Sequence, residues 1–233
     1  MQYEHAKKCI RKLYAAEILL IISSLTVVFS GLLSLMIDAA ERLSSENPEV
    51  LGYQFLAGAV YVGGLVLMTG SFAGEIIASV LAISGLNHGR KDEKQFRTAM
   101  IFVILNLIIS GIGTGFFIFS EKGSTGEYLA RIPATAAEIL GILFAVNGIT
   151  SLAEKIGDKR SSERGRELYR ILSAILGLSG LLRAAPVLYL DSENFSSADG
   201  AYSVAYGIVS LAAYVIYMLY LRHGLKMLTN HNN

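Results

Sequence analysis

Hydrophobic positions in this chain run together; they do not alternate with polar ones. Six apolar stretches, approximately Leu13–Ile37, Phe55–Leu86, Ala99–Phe119, Pro133–Leu152, Ile171–Leu190 and Ala201–Leu221, are separated by short polar segments. A bilayer core about 30 Å thick needs roughly 20 apolar residues in helical form, and each stretch meets that length. None shows the two-residue alternation of a membrane barrel strand. Backbone groups in lipid must be satisfied within the segment, so the pattern predicts helices. The expected fold is an all-α, polytopic integral membrane protein with six transmembrane helices in a single domain. The second stretch is overlong, which predicts tilt or a first turn outside the apolar layer.

The chain also repeats itself. EIIASVLAISGL at 75–86 matches EILGILFAVNGI at 138–149 with Glu, Ile, Ala and Gly in register, and YVIYMLYLRHGL at 214–225 is a weaker third copy with Tyr214 in place of the Glu. The odd-numbered helices open alike, with Arg11, Arg97 and Arg170 each following a hydrophobic residue. The unit is a basic anchor, a helix, an acidic loop and a small-residue helix back, giving three hairpin repeats over about 9–86, 95–152 and 168–225. Gly74, Ala78, Ala82 and Gly85 form one stripe, and Ala137, Gly141, Ala145 and Gly148 form its counterpart. Ser173, Gly177, Gly180 and Ala184 make a third, and Gly70–Gly74 and Gly111–Gly115 are GxxxG pairs. Small residues let helix backbones approach closely where lipid supplies no hydrophobic drive. Packing within the chain is the expectation, ahead of a dimer interface.

Composition fits this reading. Of 233 residues, 53% are hydrophobic and 17% charged, with 23 Gly and one Cys. That excludes a disordered chain, a collagen and a disulfide scaffold, and it argues against a soluble enzyme. A net charge of +1 gives no reason to expect a nucleic-acid partner. All Lys and Arg except Arg42, Lys122, Arg131 and Arg183 fall in the N-terminal segment, the 87–97 and 154–170 connections or the C-terminal tail. The opposite loops hold Asp38, Glu41, Glu46, Glu49, Glu121, Glu127, Asp191, Glu193 and Asp199. Basic residues favour the cytoplasmic side, so both termini are expected in the cytoplasm of a multi-pass plasma-membrane protein. The first apolar run is too long for a signal-peptide core and is read as a retained helix. Cys9 is expected near the inner face as an inert thiol, and Asn194-Phe195-Ser196 is a short match to a glycosylation sequon.

Four ionisable residues interrupt the apolar stretches: Glu17, Glu75, Glu138 and Arg183. A charge at mid-bilayer costs about 2.5–3.5 kcal/mol, so each needs a partner or a purpose. Arg183 lies thirteen residues past Arg170, about 20 Å along a helix. Counting back from Asn87 places Glu75 at a comparable depth, and the repeat places Glu138 level with it. Two carboxylates and one guanidinium leave one negative charge over, which would hold a proton or a cation. Ser24 and Ser110 reach the same depth, as does Tyr214 opposite the two Glu positions. Glu75, Glu138, Arg183, Ser24, Ser110 and Tyr214 are therefore the candidate substrate- or proton-binding residues. Glu17 is expected to reach headgroups or a basic neighbour, and Asn106 and Asn147 are expected to bond between helices.

Gly177-Leu178-Ser179-Gly180 resembles the GxSG of rhomboid intramembrane proteases over four residues. That chemistry needs a base at the depth of the serine. His5, His88, His223 and His231 all lie at the basic end or in tails, so the protease reading is rejected. No catalytic residue, metal site or cofactor motif is expected. The sequence points to a small transporter, permease component or ligand-binding membrane subunit. Its expected partners are the lipid bilayer, a small-molecule or ion ligand, and a partner membrane subunit. The alternative is a non-transporting assembly or signalling partner whose charged layer is structural.

Overall fold

The computed structural model describes residues 3–46, 52–119, 125–185 and 195–231. These residues form six helices: α1 (Glu4–Glu46), α2 (Gly52–Gly89), α3 (Lys94–Phe119), α4 (Thr125–Ile156), α5 (Lys159–Ala184) and α6 (Phe195–His231). Most outrun their apolar stretches. α1 begins nine residues before Leu13, and α4 begins before Pro133, which it carries inside the helix. Polar ends extend these helices because each added residue gains a backbone bond once the helix exists.

Five segments are long and apolar enough to cross a membrane: Glu4–Leu33, Thr69–Gly89, Lys94–Thr114, Ala130–Ile156 and Ala201–Asn230. The fifth expected span is not among them. α5 starts with the charged run from Lys159 to Arg170, so its apolar part begins only at Ile171, and this described stretch ends at residue 185. The expected stretch to Leu190 and the Asn194 sequon lie outside the described residues.

The helices form a closed circuit. α1 packs on α2 and α6, α3 on α4, and α5 bridges α4 and α6, with α2 and α3 meeting more slightly. Many large apolar side chains point outward, among them Phe29, Val80, Ile108, Ile112 and Leu219. In water such a surface would aggregate; in lipid it is the wetted face. The core lies toward the basic end and contains Ile10, Phe96, Val146, Leu172, Tyr217 and Leu221. Cys9 is fully buried there as a free thiol.

The small-residue stripes behave differently from one another. A side chain added at Gly85 would press on the Cys9 carbonyl at 3.0 Å, and one at Gly74 would meet Ser23 Oγ at 3.2 Å, so the α2 stripe faces α1. Gly141 faces Val103 and Gly148 faces the Phe96 ring, so the α4 stripe faces α3. Each of these returning helices thus packs on its predecessor through its smallest residues. On α5, Gly180 approaches Ile139 while Gly177 faces open space. Gly70 and Gly111 also meet nothing among the described residues, so the GxxxG pairs do not mark close crossings there.

Polar clamps tie the basic end. Asp92, in the turn after α2, accepts a 2.6 Å hydrogen bond from the Ala6 amide in the first turn of α1. Exposed N–H groups at a helix start and the helix dipole both favour a carboxylate there. Glu93 is 7% exposed and binds Lys155 Nζ at 2.5 Å and Ser151 Oγ at 3.0 Å, joining the α2–α3 turn to α4. Burial pushes this carboxyl up, but the Lys155 and Ser151 hydrogen bonds outweigh it and hold Glu93 below the usual carboxylate range. At the α4–α5 turn Gly157 adopts φ +82°, the left-handed region that suits glycine. Asp158 follows as N-cap, accepting from Ser161 N at 3.0 Å and Ser161 Oγ at 2.6 Å. These bonds from Ser161 hold Asp158 below the usual range.

Candidate functional site

A cavity of 160 Å³ lies among the helices and is lined from all six. α1 contributes Ser23 and Ser24, α2 Glu75 and Ser79, and α3 Asn106 and Ser110. α4 contributes Glu138, α5 Arg183, and α6 Tyr206 and Tyr214. Glu75, Glu138, Arg183, Ser24, Ser110 and Tyr214 all line this one space, together with Asn106. Leu20, Val27, Phe72, Ile76 and Leu107 make up much of the remaining wall. Charge in this setting is weakly screened, so pairing decides what each group can do.

Glu138 and Arg183 are paired. Arg183 Nη1 lies 3.6 Å from Glu138 Oε2, with the two side chains 29% and 18% exposed. The other carboxylate oxygen accepts a short hydrogen bond from the Tyr214 hydroxyl, which reaches across from α6. Arg183 Nη1 also donates to the Tyr206 hydroxyl at 3.1 Å, and the guanidinium carbon lies 5.1 Å from the Tyr206 ring centroid. α4, α5 and α6 are thus cross-linked by a Tyr214–Glu138–Arg183–Tyr206 chain, in which the Arg meets its carboxylate through a single nitrogen.

Glu75 is different. It is exposed and makes no hydrogen bond or ion pair among the described residues, although it lies within the electrostatic reach of Arg183 and Glu138. It is the uncommitted carboxylate of the layer. Around it Ser23 Oγ donates to the Ser71 carbonyl at 3.1 Å, fastening α1 to α2 beside the cavity.

Three expectations change. Glu17 does not reach the surface: it is 4% exposed, its Oε2 has no hydrogen-bond partner, and it interacts electrostatically with Glu138, Tyr214 and Tyr217. The face of α1 that carries Glu17 is covered by α6, a packing that the chain's local pattern does not encode. Asn106 makes no bond between helices among the described residues; its Oδ1 accepts from Ser110 Oγ, one turn on in α3, at 3.2 Å. Asn147 is exposed and its side chain makes no hydrogen bond among the described residues, because its face of α4 turns toward a second cavity beside α5.

Ser23, Ser79 and Tyr206 line the cavity and are not among the expected residues, and of these Tyr206 is the one that contacts the charged layer. Its signal was its place on α6, two turns before Tyr214 and so on the same face. Ser179 of the GLSG segment is buried and donates to the Leu176 carbonyl within its own helix, so its hydroxyl is already engaged. Asp158, Ser161 and His223 do come together, with Ser161 Oγ 2.9 Å from His223 Nε2. The wiring is structural: the carboxylate takes the serine hydroxyl and caps α5, whereas a catalytic triad orients the imidazole.

No protein-family model, no curated protein and no solved structure matches this chain.

Proposed function

We propose that this chain is an integral membrane protein of the plasma membrane whose central cavity binds a small polar ligand or ion, acting as a small transporter, permease component or ligand-binding subunit. In this reading all six helices span, with the Ile171–Leu190 stretch completing the fifth. The chain then consists of three hairpin repeats with both termini in the cytoplasm. The observation that carries the proposal is the convergence of polar side chains from every helix on one small cavity in an otherwise apolar bundle. Intramembrane polar groups are costly and mark sites or register devices.

The pairing divides the labour. Arg183 is committed to Glu138 and Tyr206, which suits a counter-ion better than an anion clamp. Glu75 is left as the group that takes a proton or contacts a cation. The cavity lies below the roughly 300–1,000 Å³ of drug-sized pockets, which limits the ligand to an ion, water or a very small molecule.

The test is flux in proteoliposomes carrying a trapped pH-sensitive dye, with potassium or sodium gradients in parallel. Glu75→Gln is expected to fold normally and abolish flux. A folded Glu75→Gln, Glu138→Gln double variant with full flux would reject the site. A second reading rests on the Tyr214–Glu138–Arg183–Tyr206 chain itself: an assembly or signalling partner in which that chain only fixes helix register. A well-folded parent with no flux in any arm, together with an Arg183→Gln variant that loses the helix packing, would favour it.

A further inference from the structure

A second cavity, of 280 Å³, opens at the basic end between α4 and α5 and is lined by Asn147, Thr150, Gly165, Arg166, Tyr169 and Arg170. Its floor is built by a close crossing. Any side chain at Gly165 would collide with Thr150 Oγ1 and the Tyr220 hydroxyl. Thr150 donates to the Val146 carbonyl at 2.9 Å and lies 3.1 Å from the Tyr220 hydroxyl, so the floor's hydroxyls are satisfied.

The walls are not. Arg166 is held by Glu154 at 2.7 Å. Arg170 makes no ion pair or hydrogen bond among the described residues, and neither does the Asn147 amide. Spacing of three and four residues puts Arg166, Tyr169 and Arg170 on one face of α5, all turned to the same space. One guanidinium, one amide and one phenol with unused donors converge there, the donor set that binds phosphate oxygens. Beyond Arg170 the exposed side of α5 becomes apolar, with Ile171, Leu178 and Leu181 facing outward, Leu181 at 71% exposure.

We infer that this cavity binds the phosphate of an anionic lipid, with Arg170 as the principal charged contact, Asn147 and Tyr169 as hydrogen-bond donors, and an acyl chain lying along Ile171, Leu178 and Leu181. The inference rests on the membrane reading but not on any role for the central cavity. Free phosphate shares the headgroup chemistry and lacks the tail.

Native mass spectrometry of the full chain, released from neutral detergent, tests it in three arms: dioleoyl phosphatidylglycerol, dioleoyl phosphatidylcholine and inorganic phosphate. One phosphatidylglycerol retained in preference to phosphatidylcholine is expected. Arg170→Gln is expected to weaken that binding about tenfold or more, as loss of a charged hydrogen-bond partner does. Asn147→Ala gives a smaller loss in the same direction. Arg164→Gln removes the same charge from the same helix outside the cavity and is expected to change nothing. Inorganic phosphate bound with the same dependence on Arg170 would support the site with a soluble source of the anion. No Arg170-dependent binding in any arm, or an equal loss in Arg164→Gln, overturns the proposal.

Discussion

Arg183 meets Tyr206 in two ways at once: its Nη1 donates to the hydroxyl at 3.1 Å while the guanidinium carbon lies 5.1 Å from the ring centroid. The same side chain neutralises Glu138, so one residue of α5 serves partners on both α4 and α6. Removing it leaves a carboxylate without its cation inside the bundle. Arg183→Gln is therefore expected to destabilise by about 3 kcal/mol, whereas Arg183→Leu combined with Glu138→Leu costs much less than that single change. Thermal unfolding in detergent compares the two.

The turn that carries Glu93 makes stability depend on pH. Its carboxyl is depressed in the folded state by the Lys155 and Ser151 bonds, so its contribution is present above the unfolded pKa near 4.3 and is lost as pH falls through the folded value. Glu93→Gln is expected to cost about 1 kcal/mol at pH 7, discounted because Lys155 is half exposed. The gap between the two proteins should be smaller in acid, near the unfolded pKa of about 4.3, than at pH 7. Melting curves at both pH values read this directly.

Glycines on one helix divide into those that touch and those that do not. Gly85→Val drives a side chain into the Cys9 carbonyl, a backbone atom with nowhere to move, and should cost about 1–3 kcal/mol. Gly70→Ala meets open space and should be neutral or stabilising by up to about 1 kcal/mol through helix propensity. Equal effects from the two would contradict the packing of α2 on α1.

Glu17 offers the reverse of a conserving substitution. A buried carboxyl oxygen without a partner is a cost that an amide of the same shape lowers, because no charge remains to be desolvated. Glu17→Gln is expected to fold and to match or exceed the parent in thermal stability. A loss of more than about 1 kcal/mol would show that the carboxyl is used or that the two amide donors are left unmet.

Much of this was legible in the chain because membrane helices are specified by composition over long windows. The depth arithmetic that put Glu75, Glu138 and Arg183 in one layer needed only a rise of 1.5 Å per residue and a basic boundary to count from. Which carboxylate would be paired was not legible. That depends on the rotation of α4 and α5 about their own axes, and no periodicity in the chain sets it. Glu17 was misjudged for a related reason: depth was counted along α1, while burial came from α6, some 200 residues later in sequence. The fifth expected span starts at Ile171, which is where the charged turns of α5 from Lys159 to Arg170 end, and its far end lies outside the described residues.

The bond from the Ala6 amide to Asp92 has a temporal side. The residue that caps the first helix is made only after the whole second helix, and the surface that covers Glu17 belongs to the sixth. During synthesis α1 therefore waits, first with an open end and then with an uncovered carboxyl, until its neighbours arrive. Of the six helices α1 is made before all of its partners, so a variant truncated before α6 is expected to leave Glu17 without its cover.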